Sequence, residues 1–257
     1  MTDLVICNYN NNIKWVTQMK GIDRIFVYDK SNCKLKPLAP KEQDVRPYLE
    51  NNIYSIDANS QLSGSEKVHM LSIPNIGAEH QTYLHHIITN YNDLADITIF
   101  CQGHPFDHLI NQFLISKEQF LSVIVDKNYY IHSNGYIDLT GCFNCCDVEG
   151  RTVGHNDRFS LNLMPVISFV NPNYDFPDTI PYQTNGIFGA LKSSILNISK
   201  DTWNVINKFL INNSDNNWCS EEVYKMERLW YFLLNGDSLP DNYLSKPPLP
   251  GLTCREV

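Results

Sequence analysis

The chain has 257 residues, 43% of them hydrophobic, and a formal net charge of -8. This length and apolar content are sufficient for one large domain with a buried core. The acidic balance, without a cluster of Lys and Arg, argues against nucleic acid as a partner, because phosphate binding requires a basic surface.

The chain shows no sign of a membrane span or of a disulfide framework. No apolar run approaches the roughly 20 residues that a transmembrane helix requires, and the first residues, MTDLVICNYN, have the pattern of a strand rather than of a signal peptide. Cys7 and Cys101 lie inside apolar runs, where a thiol usually behaves as a small buried side chain. These features predict a cytoplasmic protein.

The N-terminal part of the chain has the pattern of a βαβ unit. An apolar run at residues 3–8 ends in polar residues, residues 12–20 have a helical period, and residues 23–31 form a second apolar run. This succession is typical of an α/β sheet. Residues 31–72 are less regular, with one short strand predicted near residues 52–58.

The middle of the chain contains a predicted helix and a predicted central strand. Apolar and aromatic residues recur at helical spacing through residues 78–94, and residues 96–100 form a short apolar run. Residues 116–124 predict a short helix, with Ser116 and Gln119 in the positions of a capping box.

The C-terminal half alternates between weak and strong patterns. Residues 126–185 are rich in Gly, Pro, Asn and aromatic residues, which predicts long loops with short strands. Residues 190–213 predict one helix or two, and residues 219–236 predict a helix that ends at Gly236. No internal repeat and no linker divides the chain.

Polar residues follow the first predicted strand. In an open α/β sheet, ligands bind beyond the carboxyl ends of the strands. Tyr9 is suited to stack on a base, and Asn8 or Asn10 to hydrogen-bond the edge of that base. The alternative is that these residues only terminate the strand.

The central strand ends in the segment QGHPFDH, residues 102–108. Asp107 together with His104 or His108 is suited to hold a hard or borderline divalent cation. Such a cation would neutralise a diphosphate leaving group. The alternative is that Asp107 and a histidine cap the next helix.

Glu227 lies in the segment KMERLWYF, at the border of a stripe formed by Met226, Leu229 and Trp230. One interpretation is a base that points into a cleft; the other is a solvated carboxylate on the helix surface. No ion pair with Arg228 is expected, because adjacent helical residues do not face each other.

The segment GCFNCCDVEG contains Cys142, Cys145 and Cys146. A closed zinc site requires four ligands, and no second pair of ligands stands at zinc spacing. We therefore predict that these three cysteines bind no structural zinc.

Several segments together resemble an uncharacterised domain family that is described as related to glycosyltransferases. NYN at residues 8–10 is similar to an RYN-like triplet, and residues 73–108 resemble the family's longest conserved block, including ITIFCQGHPFDH. FGALKSSI at residues 188–195 and ERLW at residues 227–230 resemble its C-terminal motifs. The chain departs from the pattern at Ala78, where the family has a basic residue, and at His80 and Gln81, which replace a Gly-His pair.

The resemblance implies an α/β fold like that of the GT-A glycosyltransferases, which is Rossmann-type, with a central mostly parallel sheet flanked by helices. Residues 1–257 would form a single domain, with a nucleotide-binding half at residues 1–110 and an acceptor half with C-terminal helices at residues 111–257. The Asp-x-Asp motif usual in such enzymes is absent, and GHPFDH occupies the corresponding strand end.

The implied activity is transfer of a sugar from a nucleotide-sugar donor to a hydroxyl of a glycan, lipid or protein. Glu227 would be the base that deprotonates the acceptor if the enzyme inverts, and Asp107 a second catalytic residue. Asp107 and His108 would hold Mn²⁺ or Mg²⁺. The remaining donor-site residues would be Asn8, Tyr9, Asn10, Glu79, Gln102, Gly103 and His104.

Two other functions are consistent with the same residues. One is a non-catalytic carbohydrate-binding or scaffold protein that retains the fold. The other is a metal-dependent hydrolase that uses His104, Asp107 and His108.

Overall fold

A computed structural model of the chain places a β-sheet between helices. It describes residues 1–31, 54–55, 68–106, 109, 116–140, 143–152, 161–213 and 220–235. The strands within these ranges are β1 (Thr2–Asn8), β2 (Arg24–Asp29), β3 (Tyr54–Ser55), β4 (Val68–Ser72), β5 (Ile97–Gln102), β6 (Tyr130–Ile131), β7 (Tyr136–Asp138), β8 (Asn144–Cys146), β9 (Ile180–Tyr182) and β10 (Phe188–Leu191).

The helices lie between and after these strands. They are α1 (Ala78–Thr89), α2 (Lys117–Val125), α3 (Met164–Val170), α4 (Lys192–Leu196), α5 (Lys200–Asn213) and α6 (Glu221–Asn235), with short 3₁₀ helices at Lys14–Gln18 and Thr184–Gly186. Ser116 and Gln119 form the predicted capping box at the start of α2. None of the helices in the described ranges has the length and apolarity required to cross a membrane.

Most of the described strands join one sheet, in the order β3-β4-β2-β1-β5-β10-β7-β6. The four strands β4, β2, β1 and β5 are parallel. β10 then runs antiparallel between β5 and β7, and β8 pairs with β9 in a separate small sheet. The predicted α/β class, with a parallel sheet centre and flanking helices, is confirmed.

The parallel register brings distant parts of the chain to one edge of the sheet. Cys7 of β1 lies opposite Gln102 of β5, and Asn8 lies opposite Asp29 of β2. The residues that follow β1, β2 and β5 therefore meet at the carboxyl edge of the parallel strands, where α/β proteins bind ligands.

The central strands are buried on both faces because their apolar residues alternate between two cores. Val5, Phe26 and Phe100 pack against α1, α5 and α6 on one face. Leu4 and Ile99 pack against the first 3₁₀ helix and α2 on the other face. This two-sided burial is the reason that these strands read as continuous apolar runs rather than as alternating ones.

Residues 190–213 contain two helices, α4 and α5, which is one of the two predicted alternatives. Three other elements differ from the sequence-based expectation. Residues 12–20 form only the five-residue 3₁₀ helix. Helix α3 was expected to be loop, and β10 overlaps a segment expected to be helical. β10 escapes detection because a four-residue strand that contains Gly189 carries almost no periodicity of its own.

Candidate functional site

A cleft of about 660 Å³ opens at the carboxyl edge of the parallel strands. Its volume lies within the roughly 300–1,000 Å³ that is usual for small-molecule sites. The described residues that line it are Cys7, Tyr9, Asn11, Lys30, Asn75, Ala78, Glu79, Gln102, Asn185, Val223, Tyr224 and Glu227.

Four of the residues singled out from the sequence meet in this cleft. Tyr9 follows β1, Glu79 lies in the first turn of α1, Gln102 ends β5, and Glu227 lies on α6. Tyr9 is 57% exposed and presents its ring to solvent. The fold thus collects an aromatic side chain, an amide and two carboxyl groups from four separate parts of the chain.

Asn8 and Gly103 support the cleft rather than line it. The Asn8 side chain is buried, and its Oδ1 accepts a hydrogen bond from the backbone N–H of Asn11 at 3.3 Å. A Cβ added at Gly103 would lie only 2.5 Å from that Oδ1. Trp15 Nε1 donates to the Gly103 carbonyl at 2.9 Å, which fixes the end of β5 against the first 3₁₀ helix.

Asn10 and His104 also lie outside the described lining of the cleft. Asn10 is exposed and has a φ of 56°, so it supplies the left-handed turn that redirects the chain after β1. The His104 ring packs edge-on against Phe106, with 5.5 Å between ring centroids.

The predicted metal ligands Asp107 and His108 lie outside the described residues, so the metal site and the catalytic role of Asp107 stay predictions. Within the described ranges, no three side chains of His, Cys, Asp or Glu are grouped to hold a metal ion. Cys142 is likewise outside these ranges, whereas Cys145 and Cys146 lie in β8.

Glu227 points into the cleft because helix α6 buries the stripe beside it. Leu229 and Trp230 pack in the core, and the Glu227 side chain remains 17% exposed at the border of that stripe. Its Oε1 accepts the backbone N–H of Asn185 at 3.1 Å and lies 3.6 Å from Nη1 of Arg228. The expectation that Glu227 and Arg228 do not pair was wrong, since both side chains bend to the same side of the helix.

Burial raises the pKa of Glu227, and the negative charge of Glu79 raises it further. Arg228 and the Asn185 N–H act in the opposite direction but do not compensate for the loss of water. A carboxyl group whose pKa is raised is better matched to proton transfer near neutral pH than an exposed one.

Glu79 is held from two sides. Gln102 Nε2 donates to its Oε1 at 3.0 Å, and His80 Nε2 lies 4.0 Å from the same atom. Trp230 Nε1 donates to His80 Nδ1 at 2.9 Å, so the neutral imidazole carries its hydrogen on Nε2, toward Glu79. Burial lowers the pKa of His80, which keeps the ring neutral.

Lys30 is a cleft residue that the sequence analysis missed. It follows β2 and is 1% exposed, and its ammonium donates to the carbonyls of Ile76, at 2.8 Å, and Ala78. The N-terminal end of α1, which carries partial positive charge, begins beside it. The available signal was a lysine placed directly after the buried run RIFVYD.

Asn185 was also missed. It adopts a left-handed φ of 74° in the Thr184–Gly186 turn, and both its N–H and its carbonyl are used inside the cleft. The segment TNG indicates a turn, but not which side chains the turn would meet.

The model of one protein family, described as "Protein of unknown function (DUF3431)", matches residues 4–243. The chain belongs to this family. No curated protein and no solved structure matches the chain.

In this DUF3431 protein, the cleft combines the elements of a site for a small polar ligand. Lys30 and the start of α1 favour an anionic group, while the exposed ring of Tyr9 offers a stacking surface. Glu227 and Glu79 supply two carboxyl groups in different surroundings. A carboxyl group of raised pKa, such as Glu227, is suited to acid–base chemistry.

Proposed function

We propose that the protein is a nucleotide-sugar-dependent glycosyltransferase of GT-A-like fold, with Glu227 as the base that activates the acceptor hydroxyl. The observation that carries the proposal is the meeting of Tyr9, Lys30 and Glu227 in one cleft at the carboxyl edge of the parallel strands. The aromatic surface suits the nucleobase of a donor, the cation suits its diphosphate, and the carboxyl group of raised pKa suits the hydroxyl of an acceptor.

The donor would bind with its nucleobase stacked on Tyr9 and its diphosphate toward Lys30 and the start of α1. Asn8 and Gly103 keep the segment after β1 in place, so Tyr9 is presented from a supported loop. Gln102 and Glu79, which are hydrogen-bonded to each other, would contact the sugar.

In the chemical step, the Glu227 carboxylate takes the proton of the acceptor hydroxyl. The acceptor oxygen forms a bond to the anomeric carbon, the bond from that carbon to the phosphate oxygen breaks, and the nucleoside diphosphate leaves with the electron pair. This single displacement inverts the anomeric centre. The acceptor is a glycan, lipid or protein hydroxyl.

The proposal includes a divalent cation, Mn²⁺ or Mg²⁺, which Asp107 and His108 would hold, and His104 lies nearby in the sequence. Bound there, it would supply positive charge for the leaving diphosphate. The described cleft residues contain no group of three metal ligands, and the roles of Lys30 and Glu227 do not depend on the cation.

The free thiols of Cys7 and Cys101, both buried, favour the reducing cytoplasm as the location.

The test separates donor binding from transfer. Calorimetry with UDP-, GDP- and CMP-sugars, with and without Mn²⁺, identifies the donor, and transfer is then followed on candidate acceptors. Glu227→Gln keeps the shape of the side chain but removes the base. We expect it to bind the donor nearly as the wild type does and to lose roughly 10²- to 10⁴-fold in turnover, the usual contribution of a positioned general base.

Glu221→Gln is the matched control, because Glu221 lies on the same helix but is exposed and does not line the cleft. It should leave turnover unchanged. Failure of every nucleotide sugar to bind would refute the transferase, and binding of a metal ion alone would favour the hydrolase. Transfer by the Glu227→Gln variant at the wild-type rate would remove Glu227 from the mechanism.

A further inference from the structure

The Thr184–Gly186 turn lies between the two carboxyl groups of the cleft and contacts both. Asn185 and Gly186 both have left-handed backbone conformations, with φ of 74° and 56°. The N–H of Asn185 donates to Glu227 Oε1 at 3.1 Å. On the other side, a Cβ added at Gly186 would lie 3.2 Å from both Cγ and Oε1 of Glu79. Position 186 therefore leaves little room for a side chain between the turn and Glu79.

The Gln102 side chain completes the connection. Its amide donates to Glu79 Oε1 at 3.0 Å and to the Asn185 carbonyl at 3.4 Å. A continuous path of hydrogen bonds thus runs from Glu79 through Gln102 and Asn185 to Glu227. The same peptide turn is therefore hydrogen-bonded to Glu227 directly and to Glu79 through Gln102.

The two carboxyl groups have different partners. Glu227 has a guanidinium and a backbone N–H, whereas Glu79 has a side-chain amide and the Nε2–H of a neutral His80. The described charged and titratable groups that act on Glu227 or line the same cleft are Arg228 and Tyr224 on its own helix, Glu79 on α1, Tyr182 on β9, and Cys7, Tyr9 and Lys30 at the strand ends.

We infer that Glu79 is a positioning residue for Glu227, and that its charge and its hydrogen-bonded link to the Thr184–Gly186 turn influence how readily Glu227 takes a proton. The inference deepens the proposed function, on which it rests in taking Glu227 as the base. Its physical basis is that a negative charge close to a buried carboxyl group disfavours the ionised form of that group. Consistent with this, the charge of Glu79 acts to raise the pKa of Glu227.

The test measures the protonation of Glu227 directly. The protein is labelled with ¹³C at the glutamate carboxyl carbons, the Glu227 resonance is assigned by its absence in Glu227→Gln, and its chemical shift is followed against pH. Glu79→Gln removes the charge and keeps an oxygen that can accept from Gln102. We expect the pKa of Glu227 to fall in this variant, because the neighbouring negative charge is gone.

The matched control is Glu118→Gln, which removes the same charge from an exposed position on α2, the helix that packs on the opposite face of the sheet. It should leave the titration of Glu227 unchanged. If Glu79→Gln does not fold, Glu79→Asp is used in its place. It moves the negative charge away by one methylene group, so we expect the pKa of Glu227 to fall by less than in Glu79→Gln.

An unchanged titration of Glu227 in the folded Glu79 variant would overturn the inference. Because the titration requires no substrate, its outcome is independent of transfer. If the titration of Glu227 shifts in the Glu79 variant but no nucleotide sugar binds, the proposed function is refuted and the effect of Glu79 on Glu227 stands. If the titration does not shift but Glu227→Gln has lost transfer, the proposed function stands and the effect of Glu79 on Glu227 is refuted.

Discussion

Gly103 offers a sharp test of how the strand ends are packed below the cleft. Gly103→Ala adds one methyl group that would lie 2.5 Å from Asn8 Oδ1, 3.1 Å from Asn11 Nδ2 and 3.2 Å from Asn8 Cα. Carbon atoms in good contact are about 3.5–4.0 Å apart, so the Asn8 side chain must move. That movement breaks its hydrogen bond with the Asn11 N–H and releases the loop that carries Tyr9.

The expected cost follows from these distances. Overpacking of a well-packed site costs about 1–3 kcal/mol. Since φ of Gly103 lies outside the left-handed region, alanine also gains about 0.4–1 kcal/mol by restricting the unfolded chain. The net loss is up to about 2.6 kcal/mol, which for a chain of this size lowers Tm by up to about 10 °C.

The assay is thermal unfolding of four proteins: wild type, Gly103→Ala, Asn8→Ala and the double variant. Asn8→Ala removes the oxygen that the new methyl group would meet, so Gly103→Ala should cost less in that background. The difference is a coupling free energy of about 0.5–2 kcal/mol. Strictly additive effects of the two substitutions would refute the steric argument.

Two further predictions concern stability. The pKa of Glu227 is raised in the folded state, so between the unfolded and the folded pKa the folded protein holds a proton that the unfolded chain has lost, and stability from this group falls as pH rises through that window. Glu227→Gln should therefore raise Tm at about pH 8, with a gain that disappears below about pH 4, where the carboxyl group is neutral in both states; a constant gain across a melting series would contradict this. Arg24→Met leaves the Asp3 carboxylate, which is fully buried and paired with Arg24 at 2.8 Å, without its partner. It should cost about 3 kcal/mol in denaturant unfolding. Asp3→Asn in the same chain should recover part of that loss, and a double variant no more stable than Arg24→Met would show that the pair is not the cause.

The sequence by itself determined those elements whose signal is local. The runs around β1, β2 and β5 are recognisable because each is apolar along its whole length, which is what burial on two faces requires. Helices α1 and α6 follow from apolar residues at helical spacing, and α2 from the capping box of Ser116 and Gln119. From parallel strands alone, one can also expect that the ends of β1 and β5 share an edge of the sheet.

Strand β10 depended on tertiary structure. Its four residues have no periodicity of their own. Phe188 pairs with Phe100, which lies 88 positions earlier in the chain. The decisive contribution is the antiparallel pairing with β5 and β7, which no local pattern records. The same pairing brings the Thr184–Gly186 turn to the cleft.

The candidate site divides in the same way. Tyr9, Glu79, Gln102 and Glu227 were identified from strand ends, from a helix stripe and from a family resemblance, and the fold assembles them in one cleft. The sequence did not distinguish a cleft position for Glu227 from a solvated one, because a residue at the border of an apolar stripe is compatible with both.

Only the tertiary structure decided that question, and it did so through residues with no signal of their own. The backbone N–H of Asn185, in the Thr184–Gly186 turn, donates to Glu227, and the Lys30 ammonium donates to the carbonyls of Ile76 and Ala78. Each of these contacts joins residues more than 40 positions apart. Their roles arise from the burial and electrostatics of the assembled edge of the sheet, and a pattern of neighbouring residues does not contain that information.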